Sequence, residues 1–418
     1  MIDKSSAPKI YPLTFVKEKS DIMVGRPEID SFALFPPDGV ALLRQMQAGL
    51  SPEKAAQWYE EQYNDTVDMD DFLDTLQQLG FIQDQRGVEG AASESNAGTE
   101  IPFASRTVSW QWLGRAAFSP VAWIIYIALF GYCIFDIVRY PILFPRYTNI
   151  FFSPSYTLVV ISLFFGQFPG LLFHEGYHML AGRRIGLPSR LSLGHRFYYV
   201  VFETVLNGVW GVPPRYRYLP FLAGMLADGI WFSLLTILAG ATLRSPGSFS
   251  FFGAVCAALA FETVLRFIWQ FYFYLRTDLY YIFTNIFGCI DLHHTTNRYL
   301  WNGILRLFRR TSKIADETLW NPRDRQMARW YGPLYIVGYA LTLYLSLSVG
   351  LPILIQFLSG VFGNLITGYA HLTVEFWDST IFLAMSLLQS VVLGIIIWRE
   401  YREIIVSFFS RRFKQAVS

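Results

Sequence analysis

Apolar and polar positions divide the chain into three stretches. Residues 1–83 alternate short apolar runs with charged turns, and residues 84–104 are rich in Gly, Ser, Ala and Glu with no apolar period. From residue 105 to 418, long apolar runs alternate with arginine-rich segments. A run near twenty apolar residues is long enough to cross hydrocarbon as a helix. About six such spans are expected, at 120–138, 156–180, 219–241, 251–274, 331–354 and 380–398. The pattern predicts a polytopic α-helical membrane domain at 105–418, a flexible linker at 84–104 and a small folded domain at 1–83.

Within the first stretch, Ile10–Val16, Ile22–Val24 and Phe32–Phe35 read as short strands between turn residues. Three helical patterns follow. Asp38 is the expected cap of the first, with Val40, Leu43 and Met46 on one face. Ser51-Pro52 opens the second, serine at the N-cap and proline at the first helical position. Phe72, Leu76 and Leu79 give the third its face, and Gly80 stops it. Strands followed by three short helices predict an α+β, winged-helix-like domain. Further on, residues 191–202 alternate weakly and are rich in Tyr and Val. This segment forms either a membrane-associated β-ribbon, whose edge would suit an extended peptide, or an amphipathic loop.

Composition agrees with a bilayer. Hydrophobic residues make up 53% and charged residues 16%, against about 25% charge in soluble domains. A net charge of +2, and front helices without a basic face, argue against nucleic acid as a partner. The placement of the charge says more than its sum. Arg183, Arg184, Arg190, Arg196, Arg215 and Arg217 follow the second expected span, and further basic clusters follow the fourth and sixth. The opposite loops carry only Arg139, Arg146 and Arg244. The positive-inside rule then places both termini in the cytoplasm, in a multi-pass inner-membrane protein. Residues 1–20 are polar and hold no signal-peptide core. Cys133, Cys256 and Cys289 lie far apart in or beside apolar segments and read as buried small hydrophobes.

The chemistry concentrates in His174-Glu175-Gly176-Tyr177-His178, inside the second expected span. Histidines four apart share one helix face and can both reach a zinc ion, while the glutamate lies beside them as a candidate base. Ionisable groups in hydrocarbon cost about 2.5–3.5 kcal/mol each, so the cluster demands a role. Catalytic zinc takes a third protein ligand. Asp228 and Asp278 are the leading candidates, with Glu203, Glu262 and the pair His293-His294 behind them. Gly166 and Gly170 are spaced to let a neighbouring helix approach closely. Trp231 and Tyr280 read as interfacial anchors.

These motifs carry two resemblances. The order of features ending in Leu76-Gln77-Gln78-Leu79-Gly80-Phe81-Ile82 resembles PqqD-like domains. That resemblance implies capture of a precursor's leader peptide by strand addition. His174-Glu175-x-x-His178 with the later Asp278-Leu279-Tyr280-Tyr281 resembles the site-2 protease family, nearest its peptide zinc metalloprotease branch. The branch usually has glycine where Leu279 stands. The resemblance implies zinc held by His174, His178 and Asp278, with Glu175 as general base, and a peptide or protein substrate. Leader removal from a ribosomal peptide is the expectation. A regulatory protease of a membrane-anchored protein, or a non-proteolytic export or immunity scaffold, are the competing ones.

Overall fold

The computed structural model of the chain describes residues 7–83, 108–196, 199–245, 247–310 and 314–416. The expected linker at 84–104 lies outside the described residues. Strands β1 (Thr14–Glu18), β2 (Asp21–Arg26) and β3 (Ser31–Phe35) form an antiparallel sheet in sequence order. Helices α1 (Pro37–Gln47), α2 (Pro52–Tyr63) and α3 (Met69–Gln78) cover it. Val24, Leu43, Met46, Leu76 and Phe81 close a core of their own. Ile10 joins the module by a single bridge to Ile82 rather than by extending β1. Asp38 does not cap α1. Pro36 occupies the N-cap with Pro37 after it, and the Asp38 carboxylate instead accepts from the Tyr59 hydroxyl at 2.5 Å. Proline suits the first helical position, so the helix starts at Pro37 and Asp38 falls inside the first turn, where its carboxylate ties α1 to α2.

The remainder is helical. A short α4 (Gln111–Ala117) precedes α5 (Pro120–Arg139) and α6 (Tyr156–Arg184). The ribbon β4 (Ser189–Arg196) and β5 (Tyr199–Leu206) follows, then α7 (Pro214–Ala241), a small hairpin of β6 (Leu243–Ser245) and β7 (Ser248–Phe249), and α8 (Phe251–Trp269). Helices α9 (Asp278–Phe287), α10 (Leu292–Leu307), α11 (Pro322–Leu345), α12 (Leu351–Gly368) and α13 (Val374–Ala416) complete the chain. Among the described residues, five helices are long and apolar enough to cross a bilayer: α5, α6, α7, α8 and the Val374–Ile395 part of α13. The expected span at 331–354 instead straddles α11, a π-helical turn at Ser346–Gly350 and the start of α12. The fourth expected span ends early, at Trp269, because a 3-10 turn at Phe273–Leu275 interrupts the helix before α9.

Helices α6, α7 and α8 pack closely because glycines of α6 receive large side chains of its neighbours. A Cβ on Gly166 would meet the Leu259 side chain at 2.8 Å, and one on Gly170 would meet Trp231 Nε1 at 2.7 Å. Trp231 is thus a packing residue between helices, not an interfacial anchor. Tyr280 is likewise buried against Tyr331, its hydroxyl accepting from the His293 amide at 3.1 Å. At the other end of α6, Asp378 of α13 accepts from the Ser155 hydroxyl at 2.5 Å and the Tyr156 amide at 2.7 Å. A carboxylate there satisfies first-turn donors and complements the helix dipole.

The N-terminal module is docked on the membrane domain. Glu18 pairs with Arg217 at the start of α7, and Arg217 also donates to the carbonyls of Val212 (2.7 Å) and Trp210 (2.9 Å). Lys19 Nζ donates to Phe287 O at the C-terminus of α9 at 2.7 Å, and the Gly208 amide donates to Asp30 at 2.7 Å. The module therefore forms part of the wall around the ends of α6, α7 and α9.

Candidate metal centre

His174, Glu175 and His178 lie on one turn of α6, and both histidines are buried. Their outer nitrogens are engaged. His174 Nδ1 lies 3.0 Å from Asp228 Oδ2, and His178 Nδ1 lies 2.7 Å from the Pro220 carbonyl, both on α7. A carbonyl can only accept, and a carboxylate does so when ionised, so each Nδ1 carries a proton, which in the neutral ring leaves Nε2 its lone pair. The two Nε2 atoms are 3.2 Å apart, and Asp278 Oδ2 lies 3.3 Å from that of His174 and 3.2 Å from that of His178. Asp278 Oδ2 is buried with no hydrogen-bond donor.

Three lone-pair-bearing atoms held this close repel unless a proton or a cation sits among them. The spacing suits a cation: ligands about 2.0–2.1 Å from a tetrahedral zinc stand about 3.3 Å from one another. Room for it comes from Gly224 of α7, where a Cβ would lie 2.5 Å from His174 Cε1 and nearer still to both Nε2 atoms. The residues present therefore fit a small divalent ion. Among the described residues, no other group of three His, Cys, Asp or Glu side chains is placed to hold a metal.

Asp278 reaches the cluster because α9 begins there. Thr277 is its N-cap, with its hydroxyl donating to Gln270 O at 2.6 Å, and the Asp278 amide donates to Gln270 Oε1 at 3.1 Å. The first residue of α9 is thereby pinned to the turn after α8, with its carboxylate turned toward α6. Glu175 stands beside the cluster without joining it. Thr204 of β5 presents its hydroxyl to Glu175 Oε2 at 2.8 Å and to the Glu175 carbonyl at 2.9 Å. The ribbon alternative for residues 191–202 is the one the structure adopts, with Leu191 opposite Thr204 and Leu193 opposite Phe202.

A cleft of about 260 Å³ opens onto Glu175, His178 and Asp278. One wall is β5 from Glu203 to Leu206, and the facing wall is Trp210, Phe221 and Tyr281. Asp30, from the docked module, also lines it.

The other sequence candidates fall elsewhere. Asp228 meets the far edge of the His174 ring, at Nδ1, and stays outside the cluster of three. Glu203 lines the cleft, and Glu262 sits on α8 one turn before Arg266, with a buried oxygen lacking a partner. His293 packs against Tyr280 and Tyr335 on α10, and burial, aided by Arg276 and His294, holds its ring neutral down to about pH 4. Gly224, Thr204, Gln270 and Arg266 are not among the sequence candidates. A signal exists for two of them: Gly224 and Asp228 are one helical turn apart, and Arg266 is a lone cation inside an expected span.

In comparisons with known proteins, no family model, no curated protein and no solved structure matches this chain.

Proposed function

We propose that this chain is an intramembrane zinc metalloprotease that cleaves a peptide precursor, removing a leader presented by its N-terminal module. The observation that carries this reading is the convergence of His174 Nε2, His178 Nε2 and Asp278 Oδ2 beside Glu175. His174, His178 and Asp278 would hold the ion. When bound, zinc polarises the scissile carbonyl and acidifies an attacking water. Glu175 takes the proton of that water on its carboxylate and returns it to the leaving amine. The Thr204 hydroxyl fixes one oxygen of Glu175, which leaves the other to accept the proton.

An extended peptide added along β5 would run beside Glu175, its main chain paired to the strand edge. Trp210, Phe221 and Tyr281 offer an apolar surface for a side chain flanking the bond. The N-terminal module, whose Asp30 lines the same cleft, would hand a captured segment onward, a reading supported by that proximity. In the bilayer, the apolar stretch of the α11–α12 pair supplies a sixth crossing. Both termini would then be cytoplasmic, in keeping with the arginine distribution.

The test uses the full chain purified in detergent. Zinc is counted per chain, and a precursor peptide encoded beside it is incubated with the protein and its products weighed. One zinc per chain and a single new peptide bond break are expected. Glu175→Gln is expected to keep zinc and lose the product. A chain without zinc, or cleavage by Glu175→Gln at the wild-type rate, refutes the proposal.

A further inference from the structure

Arg266 of α8 and Asp228 of α7 are a charged pair inside two membrane-crossing helices. Asp228 is 1% exposed. Arg266 Nε donates to Asp228 Oδ1 at 2.9 Å, and Arg266 Nη2 lies 2.7 Å from the same oxygen. A pair serving only to join two helices would be expected to use both carboxylate oxygens, the bidentate arrangement that suits a guanidinium. Here both nitrogens crowd Oδ1, and Oδ2 is turned to His174 Nδ1 at 3.0 Å. The carboxylate thus divides its oxygens between a fixed cation and a ring of the metal centre. Gly170, one turn before His174 on α6, makes this possible, since a Cβ there would lie 3.2 Å from Arg266 Nη2.

We propose that Arg266 is a positioning residue for the metal centre, the outer end of a relay Arg266–Asp228–His174 that crosses α8, α7 and α6. The inference rests on the metal-centre reading above. Arg266 holds the Asp228 carboxylate in place through Oδ1, and Asp228 Oδ2 orients the His174 ring so that Nδ1 faces it and Nε2 faces the cluster. His178 has a backbone carbonyl at the equivalent position, so of the two imidazoles only His174 depends on a side-chain relay for its orientation. Without Arg266, Asp228 would be a buried carboxylate with one oxygen unpartnered, free to turn away from the ring.

The test compares wild type, Arg266→Gln, Arg266→Lys, Asp228→Asn and the Arg266→Gln/Asp228→Asn double variant as full chains in detergent. Zinc affinity is read by chelator competition, and the cobalt-substituted proteins are compared by visible absorption. Arg266→Gln and Asp228→Asn are each expected to weaken zinc about 10- to 100-fold, with the same change in the cobalt spectrum. The double variant should be no weaker than Asp228→Asn alone, and Arg266→Lys should recover part of the loss. Wild-type affinity and spectrum in Arg266→Gln would overturn the relay and leave the pair as helix packing. If that variant does not fold, wild-type affinity in Asp228→Asn overturns it equally. A wild-type chain that takes up no zinc overturns the metal centre itself, a failure distinct from loss of the relay alone.

Discussion

Replacing Gly224 by alanine probes the centre without altering any donor atom. Gly224 lies on α7 one turn before Asp228, where the helix backbone faces both imidazoles. The added Cβ would stand 2.5 Å from His174 Cε1 and closer to both Nε2 atoms. Carbon contacts settle near 3.5–4.0 Å, so the rings must withdraw by about 1 Å. Neither can do so freely, because His174 is held by Asp228 and His178 by the Pro220 carbonyl. A displacement of about 1 Å at a reacting centre costs on the order of 100-fold in rate, and at least that loss is expected here. Helix propensity works in the opposite sense, since alanine is more favourable than glycine by about 1 kcal/mol. The variant should therefore remain helical while losing metal. Zinc retained after dialysis against graded chelator is the assay, with thermal unfolding followed in parallel. Gly229→Ala is the control, since its Cβ would meet only Phe130, at 3.4 Å. Wild-type zinc affinity in a folded Gly224→Ala chain would refute the placement of an ion among these three atoms.

Glu175→Gln should lower turnover by about 10²- to 10⁴-fold with zinc unchanged, read by product mass and metal content. Asp278→Ala should strip zinc outright, since it removes a donor and not a support. Glu18→Ala leaves Arg217, 2% exposed, buried without its counter-charge, which costs about 3–5 kcal/mol. Its two carbonyl acceptors place the loss at the lower end of that range, visible as a lowered unfolding midpoint. Sequence alone expects deletion of residues 1–104 to spare cutting of a short peptide. Because Asp30 also lines the cleft, the deletion should reduce short-peptide cleavage too, but less than full-length cleavage, which loses leader capture as well. His293 stays neutral in the fold down to about pH 4, mainly through burial. The unfolded chain binds that proton near pH 6.5. The folded pKa is depressed, so its stabilising contribution is full above that value and is lost as pH falls from about 6.5 to 4. His293→Gln should flatten the stability profile across this window.

Local periodicity accounts for what could be read without coordinates. Residues four apart meet on a helix face whatever surrounds them, so His174, Glu175 and His178 announced themselves, as did five apolar helices of membrane length. The strands and helices of the front module were legible for the same reason, with errors only at ends such as Asp38, where proline chemistry displaced the expected cap. Contacts between distant segments have no such signature. The residues by themselves leave open whether Asp228 or Asp278 reaches the histidines, because each is a carboxylate in or beside an apolar run, and only the family resemblance implies Asp278. Packing decides it across a single imidazole: Asp228 arrives at Nδ1 and Asp278 at Nε2, opposite edges of the His174 ring. The docking of the module was equally silent in the pattern, since Glu18, Lys19 and Asp30 look like ordinary surface charges until their partners are brought to them. Periodicity reports which face a residue occupies, while the identity of what that face meets is set by loop closure and close packing over the whole chain.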